Sequence, residues 1–259
     1  MTWRVSAAIG NIRRDPGLLT ALPDKLGSKA SWLRRRRGEV GSRDWCAEQA
    51  VDVAAFMHAI EPELAAEATS FHRRASEAIE ELMPSGGFAA TSGAKVRLLH
   101  FLTRWRRPGV VVETGVAGGA SSWAVLDALR TNGRGRLFSS DLPYLFRPDA
   151  AANVGVVVPD DLRADWHLHL GTDRRNLPKI LSSAETVDLF HYDSDKSFRG
   201  RAWAHGFIRE RLSENAVVVF DDIEENEHFR DLVATIDRDR WRVFAEPTKF
   251  VGLILPSPV

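Results

Sequence analysis

Short apolar runs alternate with helix-length segments over the second half of the chain. Five of these runs are rich in the β-branched and aromatic residues typical of buried strands. They lie at residues 110–112, 136–140, 166–170, 187–192 and 216–220, and each is followed directly by a glycine or an acidic residue. Because strands that alternate with helices pair in parallel through right-handed crossovers, the pattern predicts a parallel α/β sheet.

The last two apolar runs, residues 241–245 and 250–255, break this alternation. Only residues 246–249 separate them, and a parallel crossover needs a dozen or more residues. The spacing therefore predicts an antiparallel hairpin. Five parallel strands closed by this hairpin make a seven-stranded sheet.

Helical stripes dominate the first half of the chain. Apolar residues three or four positions apart predict one helix within residues 45–60 and a second helix that Pro62 opens. The second helix is expected to end at the proline and glycines of residues 84–87, and a third begins at Ala94.

The 259 residues, of which 44% are hydrophobic, suffice for one well-cored domain with an extension. We divide them into an N-terminal arm and helical cap, residues 1–90, and a core, residues 91–259. Four consecutive arginines, Arg34 to Arg37, are typical of a solvated face.

Composition argues against several classes of protein. The 35 basic and 35 acidic residues cancel, so no nucleic-acid partner is expected. The single cysteine, Cys46, excludes an intrachain disulfide and favours a reducing, cytoplasmic setting. No apolar run approaches the roughly 20 residues that cross a bilayer, so we predict no membrane span.

The run at residues 110–112 leads into a glycine-rich turn and then a helix that stops near Gly133. Glycines at such a turn let a ligand approach the backbone, and the helix N-terminus offers it unpaired N–H groups. Ser121 and Ser122 are the predicted helix caps. The spacing is not the G-x-G-x-x-G of dinucleotide-binding loops, because position 117 is alanine.

The motif Glu113-x-Gly115-x-x-x-Gly119-x-Ser121 resembles motif I of the class I S-adenosylmethionine (SAM) dependent methyltransferases. With the terminal hairpin, the resemblance covers residues 94–256. It implies a Rossmann-like seven-stranded methyltransferase sheet with an N-terminal helical extension. It also implies that the methionine end of SAM is held by Glu113, Gly115, Val116, Ala117, Gly119 and Ser121.

Asp141 ends the second strand and is our candidate for binding the cofactor ribose, because one carboxylate can accept hydrogen bonds from both ribose hydroxyls. The alternative is a turn cap before Pro143. The resemblance implies that the adenine is edged by Gly171, Thr172 and Asp173. Thr91 and Ser92 are weaker candidates for the carboxylate end of SAM.

Asp193 and the pair Asp221 and Asp222 follow neighbouring strands, so parallel pairing should bring their carboxylates together. Such carboxylates repel one another unless a cation lies among them, and an all-oxygen set suits Mg²⁺ or Mn²⁺. The sequence therefore predicts a divalent metal site. The alternative is that Asp193 is a metal-free acidic motif residue and that the pair only caps a helix.

The acidic strand ends resemble those of catechol O-methyltransferase and of bacterial sugar- and antibiotic-tailoring O-methyltransferases, whose metal chelates two neighbouring oxygens of the acceptor. In the bacterial relatives a histidine serves as the base where this chain has Lys196. We therefore predict Lys196 as the general base, beside Asp193, with Asp195 as its rival. His191 is expected to point away from the site, and His228 to lie on the surface.

These features predict a metal-assisted, SAM-dependent O-methyltransferase that acts on a hydroxyl of a small saccharide or sugar-containing acceptor. A catechol-like phenol is the alternative acceptor. An NAD-dependent oxidoreductase and a non-catalytic SAM-fold binding subunit are the alternative functions. Because methyl transfer needs a dry site, we expect the N-terminal helices to cover the acceptor pocket, to form a homodimer, or both.

Overall fold

Each of the seven apolar runs predicted to be a strand forms a strand. The computed structural model describes residues 8, 10–13, 39–82, 94–144 and 151–256. The strands within these residues are β1 (Ala50–Val51), β2 (Val110–Thr114), β3 (Arg136–Asp141), β4 (Trp166–Leu170), β5 (Val187–Tyr192), β6 (Leu212–Phe220), β7 (Trp241–Ala245) and β8 (Phe250–Ile254).

The strands form one sheet in the order β1-β7-β8-β6-β5-β2-β3-β4. Neighbours pair in parallel except for β8, which is antiparallel to both β6 and β7. The predicted α/β fold, with a terminal antiparallel hairpin, is confirmed.

One strand was not predicted from the sequence. Residues 45–60 do not form a continuous helix, because β1 interrupts them and pairs with β7 as an eighth strand. The carboxylate of Asp52 accepts the backbone N–H of Ala55 at 2.6 Å and starts a new helix there. This side-chain cap stabilises the break that the apolar periodicity concealed.

The helices alternate with the strands after β2, as expected. Within the described residues, the helices of eight or more residues are α1 (Glu39–Gln49), α2 (Val53–Ile60), α3 (Pro62–Leu82), α4 (Ala94–Arg106), α5 (Ala120–Asn132), α6 (Asp173–Ser183) and α7 (Phe198–Ile208). A shorter helix, α8 (His228–Val233), follows β6.

Helices cover both faces of the sheet. Val111 and Leu189 face a core filled by α2, α3, α4 and α5, whereas Val112 and Phe190 face a core filled by α6, α7 and α8. Burying each such side chain contributes about 1.5–3 kcal/mol. The apolar run at the start of β2 is continuous because both faces of this strand are buried.

The predicted stripe of α3 is confirmed, since Ala65, Phe71 and Ile79 are buried along one side of the helix. The division of the chain at residue 90 stays a prediction, because residues 83–93 lie outside the described part. The arginine run at 34–37 and the candidates Thr91 and Ser92 also lie outside it. Among the described helices, none is long and apolar enough to cross a membrane.

In-register parallel pairing fixes the position of the functional residues. Thr114 pairs with both Ser140 and Tyr192, and Tyr192 pairs with Phe220. The residues that follow these strand ends therefore meet at one edge of the sheet. This edge carries the glycine-rich loop and the acidic residues.

Candidate active site

The glycine-rich loop joins β2 to α5 in the predicted strand-turn-helix arrangement. Gly119 is the N-cap of α5 and has a φ of 101°, so the prediction that Ser121 and Ser122 cap this helix is wrong. Both serines lie in its first turn and are buried. The Ser122 hydroxyl points inward and donates to Glu113 at 2.5 Å.

Glu113 is fully buried beneath this loop. Its carboxylate accepts Ser139 Oγ at 2.9 Å and lies 3.3 Å from His191 Nδ1. Burial alone would raise the pKa of Glu113, but His191 and the α5 serines lower it below its usual value. The ionised carboxylate therefore links β2, β3 and β5 to the first turn of α5 and holds the start of this helix against the sheet. Its contact with a cofactor stays a prediction.

The loop also packs directly against the end of β5. Gly115 has a φ of 83°, and a Cβ atom there would overlap the carbonyl oxygen of Asp193. Only glycine combines this left-handed conformation with so close a contact. The glycine-rich loop and Asp193 are therefore in direct backbone contact.

Asp141 lies at the end of β3 and turns toward the loop. Its Oδ1 accepts the backbone N–H groups of Val116 at 2.8 Å and of Ala117 at 3.2 Å. The structure thus brings together three residues that the sequence predicted to bind SAM. Ala117 has a φ of 49°, which is unusual for a residue with a side chain.

A segment that sequence reasoning missed packs on the outer side of this loop. The backbone N–H of Gly155 donates to Ala117 O at 2.9 Å, and that of Val157 donates to Gly118 O at 3.0 Å. Val154, Val157 and Val158 are buried. The valine-rich run at 154–158 was the available signal, and its isolation from any helix or strand pattern hid it.

The predicted adenine-edging residues lie beside Asp141. The backbone N–H of Gly171 donates to Asp141 O at 2.8 Å, and Thr172 is the N-cap of α6. Asp173 accepts the hydroxyls of Ser140 at 2.8 Å and of Ser194 at 2.5 Å. Burial raises the pKa of Asp173 to about 6, helped by Asp195 and Asp141 and opposed by the two hydroxyls.

The three predicted metal aspartates do converge. Asp193, Asp221 and Asp222 each offer a carboxylate oxygen within 4.8 Å of the others. Each of these carboxylates also contacts a lysine. We refer to the three aspartates and the lysines Lys95, Lys196 and Lys249 as the Lys–Asp cluster.

Lys95 lies at the centre of this cluster. Its Nζ donates to Asp193 at 2.5 Å and to Asp221 at 2.6 Å, and its side chain is 9% exposed. Lys249 Nζ donates to Asp221 at 2.5 Å. Burial alone would lower the pKa of Lys95, but Asp193 and Asp221 raise it well above its usual value. Lys95 therefore carries its proton.

Lys196 bridges the other side of the cluster. Its Nζ donates to Asp193 Oδ1 and lies 2.5 Å from Asp222 Oδ2. Burial would lower the pKa of Lys196, but Asp193, Asp222 and Asp221 raise it. Burial would likewise raise the pKa of Asp193, but Lys196 and Lys95 hold it well below its usual range. Both partners are thus charged.

Residues 112–223 match a family described as a methyltransferase domain. The matched segment runs from β2 through the glycine-rich loop to the acidic end of β6. A comparison with curated protein sequences finds no match.

Solved structures extend the match to most of the chain. The O-methyltransferase TomG from Streptomyces achromogenes, in complex with SAM, has a TM-score of 0.52 at 19% identity and covers 72% of this chain and 89% of its own. An O-methyltransferase from Bacillus cereus, in complex with SAH, has a TM-score of 0.51 at 14% identity and covers 81% of this chain and 99% of its own. The methyltransferase fold that the sequence resemblance implied is confirmed.

Within this methyltransferase fold, an arginine that the sequence did not single out holds the acidic pair. Arg201 is 1% exposed, and its guanidinium donates to the carbonyl oxygens of Asp221 and Asp222, each at 2.8 Å. Asp222 has a φ of 52°. The signal was present in α7, because Arg201 lies on the buried face with Ala204 and Ile208.

Other predicted residues are oriented away from the Lys–Asp cluster. Asp195 accepts the backbone N–H of Ser197 at 2.9 Å and so points toward the start of α7. His191 Nδ1 lies 3.3 Å from Glu113 Oε1, a contact that the sequence did not predict. His228 was expected on the surface but is buried, and burial together with Arg201 lowers its pKa to about 4.

The raised pKa of Asp173 predicts that Asp173→Asn increases the free energy of unfolding by an amount that depends on pH. The folded protein holds the Asp173 proton up to about pH 6, whereas the unfolded chain loses it near pH 3.8, so wild-type stability from this group falls as the pH rises between these values. Asparagine removes the cost of a buried charge. Urea unfolding should show the variant gaining about 1–2 kcal/mol more at pH 8 than at pH 5.

The matched control is Asp160→Asn, because the side chain of Asp160 is fully exposed. Its effect should be the same at both pH values. An equal pH dependence in the two variants would contradict the role of burial at Asp173.

The hold of Arg201 on the acidic pair predicts a large loss of stability in Arg201→Met. Two buried carbonyl groups would lose their donors, which should cost about 2–5 kcal/mol in urea unfolding. Arg199→Met is the control, since Arg199 is an exposed residue of the same helix. Similar losses in both variants would show that the carbonyl contacts are not needed.

Proposed function

We propose that the protein transfers the methyl group of SAM to a hydroxyl of a small saccharide or sugar-containing acceptor. The observation that carries this proposal is the direct backbone contact between Gly115 of the glycine-rich loop and Asp193 of the Lys–Asp cluster. A cofactor held by the loop would lie next to charged groups that can orient an acceptor hydroxyl. Proximity of this kind accounts for much of the rate of a transfer between two bound reactants.

The cofactor assignment is supported by the family match and by the SAM or SAH bound in similar structures. When bound, SAM supplies an electrophilic methyl group on sulfonium. We assign the ribose to Asp141 and the methionine end to the loop at residues 115–121. The NAD alternative is disfavoured, because position 117 is alanine and a terminal antiparallel hairpin completes the sheet.

In the transfer, the acceptor oxygen bonds to the methyl carbon while the carbon–sulfur bond breaks and its electron pair stays on sulfur. The hydroxyl proton must leave the acceptor. Lys196 and Asp222 are the most exposed pair of the cluster, with side chains 31% and 20% exposed. We therefore assign these two groups to the acceptor hydroxyl.

The charges of Lys196 and Asp222 suit them to different roles in the transfer. A protonated Lys196 can stabilise negative charge developing on the acceptor oxygen but cannot accept its proton. The proton would then pass to a carboxylate of the cluster, for which Asp222 is the more exposed choice. The rival base Asp195 is less suited, because its Oδ1 already accepts a backbone N–H.

The predicted Mg²⁺ or Mn²⁺ does not fit the cluster as it stands. The oxygen donors have the right chemistry and spacing. However, Lys95 and Lys196 occupy both oxygens of Asp193, and Lys95 and Lys249 share one oxygen of Asp221. We therefore derive no step of the transfer through a metal.

The acceptor class is inferred from residues 193–197. Their sequence, Asp-Ser-Asp-Lys-Ser, most resembles that of the sugar- and antibiotic-tailoring enzymes, which favours a saccharide over a catechol-like phenol. The similar protein TomG is described as an O-methyltransferase of tomaymycin synthesis, which agrees with a small-molecule acceptor. A homodimer through the N-terminal helices and a cytoplasmic location stay predictions.

Asp141→Ala tests the cofactor assignment. If Asp141 holds the ribose, its loss should weaken SAM binding roughly tenfold to a hundredfold, because two hydroxyls lose their acceptor in a closed site. Isothermal titration calorimetry of the full chain with SAM measures this directly.

The matched control is Asp188→Ala. Asp188 also accepts two consecutive backbone N–H groups, those of Gly109 and Val110, but it lies at the opposite edge of the sheet. This variant should lose similar stability and keep its SAM affinity. Equal SAM affinity in both variants, or binding of NADH in place of SAM by the wild type, would refute the assignment.

Substitutions of Lys196 test its role in the transfer. Arginine keeps the positive charge but cannot accept a proton at working pH, so Lys196→Arg should keep most of the turnover. Lys196→Met should lose about 10²- to 10³-fold. The measurement is transfer of labelled methyl from SAM to a panel of monosaccharides, nucleotide sugars and catechol.

Lys179→Met, at an exposed lysine of α6, should leave turnover unchanged. If Lys196→Arg loses as much turnover as Lys196→Met, with SAM affinity intact in both, Lys196 is the general base that the sequence predicted. Transfer to catechol alone would overturn the saccharide assignment.

A further inference from the structure

We propose that the ammonium groups of Lys95, Lys196 and Lys249 take the place of a divalent cation in this site, with Lys95 at the centre. The inference rests on the proposed function only in treating the Lys–Asp cluster as the acceptor side of the active site. Three positive charges meet three negative ones there. The carboxylates therefore have the counter-charge that the sequence alone assigned to a metal.

Lys95 holds the position that an ion shared by two strand ends would need. Its Nζ lies between Asp193 Oδ2, at the end of β5, and Asp221 Oδ2, at the end of β6, at 2.5 and 2.6 Å. The side chains of Lys95 and Asp221 are almost fully buried. A charge pair at this depth is weakly screened by solvent.

Two of the three lysines come from outside the family-matched segment. Lys95 lies in the first turn of α4, before residue 112, and Lys249 lies in the hairpin turn, after residue 223. The matched residues supply the aspartates, and the flanking elements supply most of the counter-charge. The arrangement is therefore a property of this whole chain and not of the matched motif alone.

One glutamate links the backbone of these flanking elements. Glu246 Oε1 accepts the backbone N–H of Lys95 at 2.6 Å, and Glu246 Oε2 lies 3.9 Å from Lys249 Nζ. The start of α4 is thereby tied to the hairpin turn. Lys95 is held at the cluster by its backbone as well as by its ammonium group.

The remaining oxygens leave a cation little to bind. Asp193 has both oxygens in contact with lysines, and Asp222 has one oxygen 2.5 Å from Lys196. Among the described residues, only Asp221 Oδ1 of the three carboxylates is buried without a hydrogen-bond partner. Adding a divalent charge to a balanced cluster would require at least one ammonium group to leave.

Replacing the metal ion by lysine ammonium groups changes the class of acceptor that the site can bind. A metal ion chelates two neighbouring oxygens, so it selects vicinal diols. A lysine and a carboxylate can hydrogen-bond a single hydroxyl. We therefore expect an acceptor with one isolated hydroxyl to be as good a ligand as a vicinal diol.

The test is Mn²⁺ binding to the full chain, followed by electron paramagnetic resonance. Wild type and Lys95→Arg should bind Mn²⁺ weakly, because both keep the central charge. Lys95→Met should bind Mn²⁺ at least about tenfold more tightly, since two aspartates lose their shared counter-charge. Lys95→Met combined with Asp221→Asn should lose this gain.

Circular dichroism of the same samples reports on folding, and calorimetry with SAM separates the two proposals. A folded wild type that does not bind SAM would refute the proposed function and leave the Mn²⁺ result readable. If Lys95→Met does not fold, Lys249→Met replaces it, because Lys249 is more exposed at 22% and also contacts Asp221. It should gain Mn²⁺ affinity in the same direction.

Two results would overturn the inference. The first is tight Mn²⁺ binding by the wild type that Asp221→Asn abolishes. The second is a folded Lys95→Met or Lys249→Met variant with no gain in Mn²⁺ affinity.

Discussion

In-register pairing of the central parallel strands is the constraint on which the rest of the structure depends. β2, β3, β5 and β6 end at the same level, so the residues that follow Thr114, Tyr192 and Phe220 lie close together. Both faces of these strands are packed against helices, so a one-residue register shift would turn side chains that fit one core toward the opposite core. The register at this edge is therefore fixed by the packing of both cores.

That edge concentrates acidic groups, and the chain stabilises them in two different ways. Asp141 accepts backbone N–H groups, and Glu113 accepts serine hydroxyls and lies against His191. Asp193 and Asp221 instead accept from the ammonium groups of lysines on other elements.

The glycine-rich loop and the Lys–Asp cluster are in direct contact through backbone atoms. Gly115 packs against the carbonyl of Asp193, and Arg201 donates to the carbonyls that follow β6. The hairpin turn closes the other side of the cluster through Lys249.

The sequence by itself determined the strands, the terminal hairpin, the glycine-rich turn and the edge where the acidic residues meet, because each depends on local periodicity or on the length of a connection. It missed β1, since a single capping residue, Asp52, broke an otherwise helical pattern. It also misjudged what surrounds the aspartates. Lys95 lies 126 positions from Asp221, and Arg201 donates to the backbone carbonyls of residues 20 and 21 positions away, so neither pairing leaves a local pattern. Only the tertiary structure decided that the counter-charge of the acidic strand ends is supplied by lysines, because packing α4 and the hairpin turn on the sheet edge is what brings those side chains there.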